Sequence, residues 1–279
     1  YSSGTGTRTF LMGSTAAGPA STQLSVSFGT SGTGLFINNS SFDTISLQGV
    51  YTNLDFTNST NIISNQALTI YGNLVSPASG PFFSAGANTW TFVSTTSQNI
   101  DTSNISMPFS MTFNGSGGQW TLLSNFSSNV LNVNQGTLLL NNRTSFTNYF
   151  TSNVSTTRAI NFSTSGRIDI AGVSNTVVTM DVMTNFTYSG TPDIYLSANF
   201  NLGTRTLRFG NSAGATTTNV FDVFIGNNNT GVHVNSGSTD TLAFLGSYNN
   251  FNMSNLQATI SNDAKVIFGN VIIPSSGGT

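Results

Sequence analysis

The sequence predicts an all-β chain, a parallel β-solenoid (β-helix) of coils about 20 to 25 residues long, on three observations. The chain repeats itself with a period of 197 residues. Short alternating segments recur along it, bounded almost everywhere by Gly, Asn and Ser. Charged residues make up only 6% of it, against roughly 25% in an average soluble domain.

The repeat runs without a gap from position 6 to position 82, against 203 to 279. Gly6-Thr7-Arg8-Thr9 falls on Gly203-Thr204-Arg205-Thr206, Gly34 on Gly231, Asp43-Thr44 on Asp240-Thr241, and Gly72-Asn73 on Gly269-Asn270. By count, 28 of these 77 positions are identical, and many others exchange like for like, as Leu54 with Phe251 and Ile45 with Leu242. Low complexity inflates chance matches, yet chance does not hold glycines, Pro77 with Pro274, and rare charges in one register. Residues 1–82 are thus expected to be the C-terminal part of one repeat, and 83–279 one full repeat of about 197 residues. The phase of these boundaries predicts a window from a longer array, whose bare ends would expose unpaired strand edges.

The alternating segments include Ala67-Leu68-Thr69-Ile70-Tyr71, Thr89-Trp90-Thr91-Phe92-Val93, Phe109-Ser110-Met111-Thr112-Phe113 and Thr206-Leu207-Arg208-Phe209. Apolar residues two apart bury one face and leave Thr, Ser or Asn on the other. Successive segments, at Thr69, Thr91, Thr112, Leu138 and Ile160, have the spacing of stacked coils, about eight to a period. Thr157-Arg158-Ala159-Ile160 is echoed 47 residues later by Thr204-Arg205-Thr206-Leu207. Asn at tight corners tolerates left-handed φ, and Asn or Thr side chains can bond from strand to strand. Leu139→Asp is expected to break such a stack locally. A string of β-sandwich domains is the alternative architecture, and it predicts hydrophilic linkers that the sequence lacks.

Composition also excludes functions. All nine acids are Asp, with no Glu, one Lys (Lys265) and one His (His233), a poor coat for helices. Twenty-two Phe, seven Tyr and two Trp supply a core that a disordered chain would lack. A net charge of −2 gives no electrostatic hold on nucleic acid, and no apolar run reaches the ~20 residues of a membrane-spanning helix. Zero cysteines exclude a disulfide framework.

The acids are scattered, at Asp43, Asp55, Asp101, Asp169, Asp181, Asp193, Asp222, Asp240 and Asp263. Asp43/Asp240 and Arg8/Arg205 are the only acid and base pairs that the repeat keeps, which suits turns better than catalysis. Asp169, Asp181 and Asp193, spaced 12 apart, are the set most able to gather carboxylates. A serine triad would need His233, whose counterpart is Phe36. No metal, cofactor or catalytic set is therefore assigned. Trp90 and Trp120 read as core residues. The Asn-x-Ser/Thr triplets, at Asn58, Asn104, Asn114 and nine other positions, are as numerous as composition alone produces.

Taken in order, Ala67-Leu68-Thr69-Ile70-Tyr71-Gly72-Asn73-Leu74, Gly86-Ala87-Asn88-Thr89-Trp90-Thr91-Phe92, Gly118-Gln119-Trp120-Thr121-Leu122 and Gly136-Thr137-Leu138-Leu139-Leu140-Asn141 resemble a known repeat. It is the repeat region of large β-solenoid structural, tail-fibre-like proteins of aquatic, cyanophage-like bacteriophages and related metagenomic proteins. The resemblance implies the shaft of a tail fibre or virion appendage, extracellular, with itself or other fibre proteins as partners. It implies host glycan contact through other regions, no membrane insertion and no catalytic residues. A second reading is the passenger of a bacterial surface adhesin, of autotransporter type, that binds glycans or a host receptor. A third, a carbohydrate-active β-helix, would require a charged cleft.

Overall fold

The computed structural model describes residues 6–12, 24–28, 34–37, 44–76, 82–173, 175–197, 203–210, 219–226, 230–235 and 241–274. Every helix-or-strand element among them is a strand. No helix among them is long and apolar enough to cross a membrane. The chain divides into two compact units, Tyr1–Leu139 and Leu140–Thr279.

In the first unit the alternation of the sequence becomes burial. Along Ser106–Leu122, Met107, Phe109, Met111, Phe113, Trp120 and Leu122 are fully buried, while Ser110, Thr112 and Thr121 lie on the other face. Parallel pairing stacks like on like, with Leu68 opposite Trp90 and Trp90 opposite Met111. The aromatic core follows from that register. Trp90 packs on Phe109 at 4.6 Å between ring centroids, edge-on to Phe83 at 5.6 Å, and over Phe56 at 6.3 Å. Trp90 and Trp120 are both completely buried, as core residues should be.

Asparagines do the cornering and the bridging that their chemistry suits. Asn104, Asn141, Asn142, Asn185 and Asn219 all adopt φ between 51° and 65°, a region L-residues other than Asn and Asp seldom enter. Asn53 Oδ1 accepts the backbone N–H of Asn73 at 2.8 Å, and Asn73 Oδ1 accepts that of Asn99 at 2.7 Å. Strand Thr44–Asp55, the residue before Leu74–Val75 and strand Ser97–Asp101 are thereby tied in turn.

The 197-residue period is as visible in three dimensions as in the sequence. Strand Thr44–Asp55 and strand Thr241–Asn252 have the same twelve-residue burial pattern, position for position. Thr7–Met12 pairs with the first as Thr204–Phe209 does with the second. Tyr51 donates its hydroxyl to the carbonyls of Gln48 and Phe10 at 2.9 and 3.0 Å, and Tyr248 donates to Leu245 and Leu207 at 3.0 and 3.3 Å. Gly49 and Gly246 hold φ of 102° and 107°. At Gly246 a Cβ would lie 1.9 Å from the Phe209 carbonyl oxygen, so a side chain is excluded by space as well as by φ.

The second unit corrects the expected architecture. Instead of a solenoid of coils, it holds a closed eight-stranded parallel β-barrel, with further strands outside that ring. The ring runs from Thr144–Thr151 to Arg167–Ile170, Asp193–Leu196, Gly231–Val234 and Phe221–Ile225. It continues through Thr241–Asn252, Thr204–Phe209 and Asn175–Met180, and returns to Thr144–Thr151.

Closure has a physical cause, which is two strands long enough to serve two neighbours each. Thr144–Thr147 pair with Arg167–Ile170, while Phe150 and Thr151 pair with Val178 and Thr179. Thr241–Gly246 pair with Thr204–Phe209, while the following part, through Tyr248, Phe251 and Asn252, pairs with Phe221–Ile225. The spacing is uneven too. Partners lie 23 residues apart at Thr144/Arg167, 26 at Ile168/Ile194 and 37 at Thr204/Thr241, so no uniform 20–25-residue coil exists here. The pairings are parallel, which equally removes the string of antiparallel β-sandwiches. Inside the ring lie Ile168, Ile170, Ile194, Leu196, Leu207, Phe209, Val223, Val232, Phe244 and Tyr248, all buried.

Alternation also reassigns the disruptive position in the Leu138-Leu139-Leu140 run. Leu138 and Leu140 are buried, at 1% and 0% exposure, whereas Leu139 between them is only half-buried. Leu138→Asp, which strands a charge against Trp120 (its strand partner), is expected to cost more than about 3 kcal/mol. Leu139→Asp is expected to cost less than about 1 kcal/mol. Chemical denaturation of the two variants checks the order, and equal losses would contradict the assignment of faces.

Candidate functional site

Three consecutive members of the ring, Arg167–Ile170, Asp193–Leu196 and Gly231–Val234, turn apolar residues inward and charges outward. Ile168 pairs with Ile194 and Ile194 with Val232, so the residues flanking each pair share the outer face. That register sets Arg167 beside Asp193, and it lines up Asp169, Tyr195 and His233 in a second row.

The contacts are tight. Arg167 Nε donates to Asp193 Oδ2 at 2.8 Å, and His233 Nδ1 lies 3.0 Å from Asp193 Oδ1. The Arg167 guanidinium sits 4.9 Å from the centre of the Tyr195 ring, within cation–π range. The Tyr195 and His233 rings lie 4.5 Å apart. Asn235 donates its amide to the Tyr195 hydroxyl at 3.1 Å, and also lines an open depression of about 430 Å³ with Gly226, Asn255, Leu256 and Gln257. His233 is only 2% exposed although it lies on the outer face.

The two carboxylates are driven apart electrostatically. Burial raises the Asp193 pKa, but hydrogen bonds from His233 and Arg167 and their charges outweigh it, so the carboxyl is held below its ordinary value. Asp169 is lifted above its ordinary value by burial, which the Arg167 charge only partly offsets and the Asp193 charge reinforces.

A test follows from the sign of the first shift. A carboxylate with a depressed folded-state pKa stabilises the fold above its unfolded value of about 4, and that contribution is lost as pH falls through the folded value. Asp193→Asn is therefore expected to lower the melting temperature at pH 7 and to matter progressively less towards pH 3. An equal loss at both pH values would show that the charge contributes nothing.

Of the evenly spaced acids, the fold gathers two. Asp169 and Asp193 join the cluster, whereas Asp181 pairs with Arg208 Nε at 2.8 Å and accepts from Asn153 at 3.4 Å. Two other acids serve turns. Asp55 accepts the N–H of Thr57 at 2.8 Å, and Asp101 that of Ser103 at 2.9 Å. Asp222 Oδ1 receives Nδ2 of Asn249 and both the backbone N–H and Nδ2 of Asn250. Asp43 and Asp240 lie outside the described residues. Arg8 is exposed and Arg205 fully buried, so the repeated base sits in two environments. The register, which spacing alone misses, brings in Arg167 and Tyr195, and neither stands out in the sequence.

Among the described residues no group of three His, Cys, Asp or Glu is placed to hold a metal ion. What the cluster does chemically is hold a carboxylate between an arginine and a histidine and clamp a tyrosine ring between the same two side chains. No family model, curated protein or solved structure matches the chain.

Proposed function

We propose that the chain is a structural segment of an extracellular fibre, of the kind that forms a bacteriophage tail fibre or virion appendage. One observation carries this reading. The part of the protein that recurs at 197 residues recurs as scaffold, with the same strand pairing, the same burial along Thr44–Asp55 and Thr241–Asn252, and the same tyrosine ties. Its His233 and Asp222 stand where the other copy has Phe36 and Ser25, so these two groups are not copied. A module selected for reach repeats its architecture. Its partners on this reading are further copies of itself and other fibre proteins.

Immunogold labelling with antibodies raised against the 279-residue chain tests it, on particles and cells from the source sample. Gold along virion appendages is the expected result. Gold on bacterial surfaces that carry no particles would replace the fibre with the adhesin passenger, and gold confined to the cell interior would overturn both.

A further inference from the structure

The internal repeat allows one copy's surroundings to be read from the other's. In the first copy, Ile62–Ser64, Leu68–Ile70 and Leu74–Val75 are covered by Phe82–Phe83, Thr89–Phe92 and Ser97–Asp101. Their counterparts Thr259–Ile260, Lys265–Ile267 and Val271–Ile272 pair inward with Thr241–Asn252. Among the described residues no strand pairs with their outer edge.

Burial records the difference. Leu74 is 0% exposed and its counterpart Val271 is 51% exposed. Ile63 and Ile70 are buried, while Ile260 and Ile267 are only half-buried. Phe268, Ile272 and Ile273 add exposures of 40%, 49% and 68% to the same edge. The polar ties stop at the same place. Asn250 Oδ1 accepts the N–H of Asn270 at 2.8 Å as Asn53 does that of Asn73, and Asn73 goes on to accept the N–H of Asn99. Asn65 Oδ1 accepts the Asn88 N–H at 2.9 Å and the Asn65 carbonyl accepts Asn88 Nδ2 at 2.9 Å, whereas the matching Asn262 is exposed. Lys265, standing where the first copy has Leu68, turns its ammonium back to the Asp263 carbonyl at 2.9 Å and so leaves the edge open.

We propose that the edge formed by residues 259–272 is a docking site for a strand segment like residues 82–101, supplied by a further copy of the same repeat. The segment adds in parallel and in the first copy's register, by main-chain pairing and by the two asparagines, Asn262 and Asn270. Val271 then becomes buried, as Leu74 is, and Phe268 half-buried, as its counterpart Tyr71 is. The inference rests on the fibre reading, because it says how successive modules join. Its test reads the edge alone, while the labelling experiment reads location, so the two fail separately.

A fluorescein-labelled peptide of residues 82–101, titrated into the 279-residue chain, tests it by anisotropy, with a scrambled peptide as control. Saturable one-to-one binding is expected, weakened at least tenfold by Asn270→Ala together with Val271→Asp. Both positions are exposed, so the variant is expected to keep its circular dichroism spectrum. Hydrogen exchange with the wild-type chain supplies the independent readout, with protection expected in 259–272 on peptide addition. Failure to bind at millimolar peptide, binding equal to that of the scrambled control, or protection elsewhere would overturn it.

Discussion

Replacing Arg158 by methionine is expected to destabilise the protein by about 4 to 6 kcal/mol, although methionine occupies similar space. Arg158 is 1% exposed, and its guanidinium is spent entirely on hydrogen bonds. Nη2 donates to the carbonyls of Ser152, at 2.7 Å, and Val182. Nη1 donates to Thr184 and Thr156 at 2.9 and 3.2 Å, and Nε to the Ser152 hydroxyl at 2.7 Å. A buried acceptor that loses its donor costs about 1 to 3 kcal/mol, and here several lose it together. Burial brings the Arg158 pKa down to about 10, so the group is still charged at neutral pH and donates fully. Arg158→Lys should recover only part of the loss, since one ammonium has three donors and no planar fork. Urea denaturation of the three proteins checks this, and a methionine variant within 1 kcal/mol of wild type would show that water replaces the guanidinium.

Trp90→Ala is the second large effect, an expected loss of about 3 to 5 kcal/mol. The indole is wholly buried and touches Phe56, Phe83 and Phe109, so its removal opens a cavity that three rings cannot jointly close. The loss should be felt first in its strand partners. Amide exchange is expected to rise most in Leu68–Ile70 and around Met111, which pair with the Trp90 strand on either side. A loss below about 1 kcal/mol would mean that the aromatic stack is looser than its centroid distances.

How far the sequence reads correctly depends on whether a question concerns one strand or two. Single-strand questions were answerable. The alternation in Phe109-Ser110-Met111-Thr112-Phe113 states which side chains are buried, because successive Cβ atoms point to opposite faces. The same rule, applied strictly, separates Leu138 and Leu140 from Leu139. Corner asparagines were legible because left-handed φ is an intrinsic tolerance of the residue.

Two-strand questions were not. A uniform 24-residue step would have stacked Asp169 on Asp193, carboxylate against carboxylate. The observed step of 26, from Ile168 to Ile194, keeps the same faces but slides the partners by two. Arg167 then meets Asp193, and Asp169 meets Tyr195. Like charges become an ion pair, and nothing in either strand alone announces it. His233 is similar, since its burial against Tyr195 and its contact with Asp193 belong to a register over residues 193–233.

By itself, then, the sequence determined the class of structure and its period. Residue composition and period-two patterning are local properties, and the 197-residue copy needs only comparison of the chain with itself. The tertiary structure alone decided that the strands of the second unit close into a ring of eight. Closure depends on Thr144–Thr151 and Thr241–Asn252 each dividing its pairing between two neighbours. It depends equally on steps of 23, 26 and 37 residues that hydrophobic pattern cannot distinguish. Any even slip preserves which side chains are buried, so burial leaves the register open, and only the packed partners and their hydrogen bonds select one.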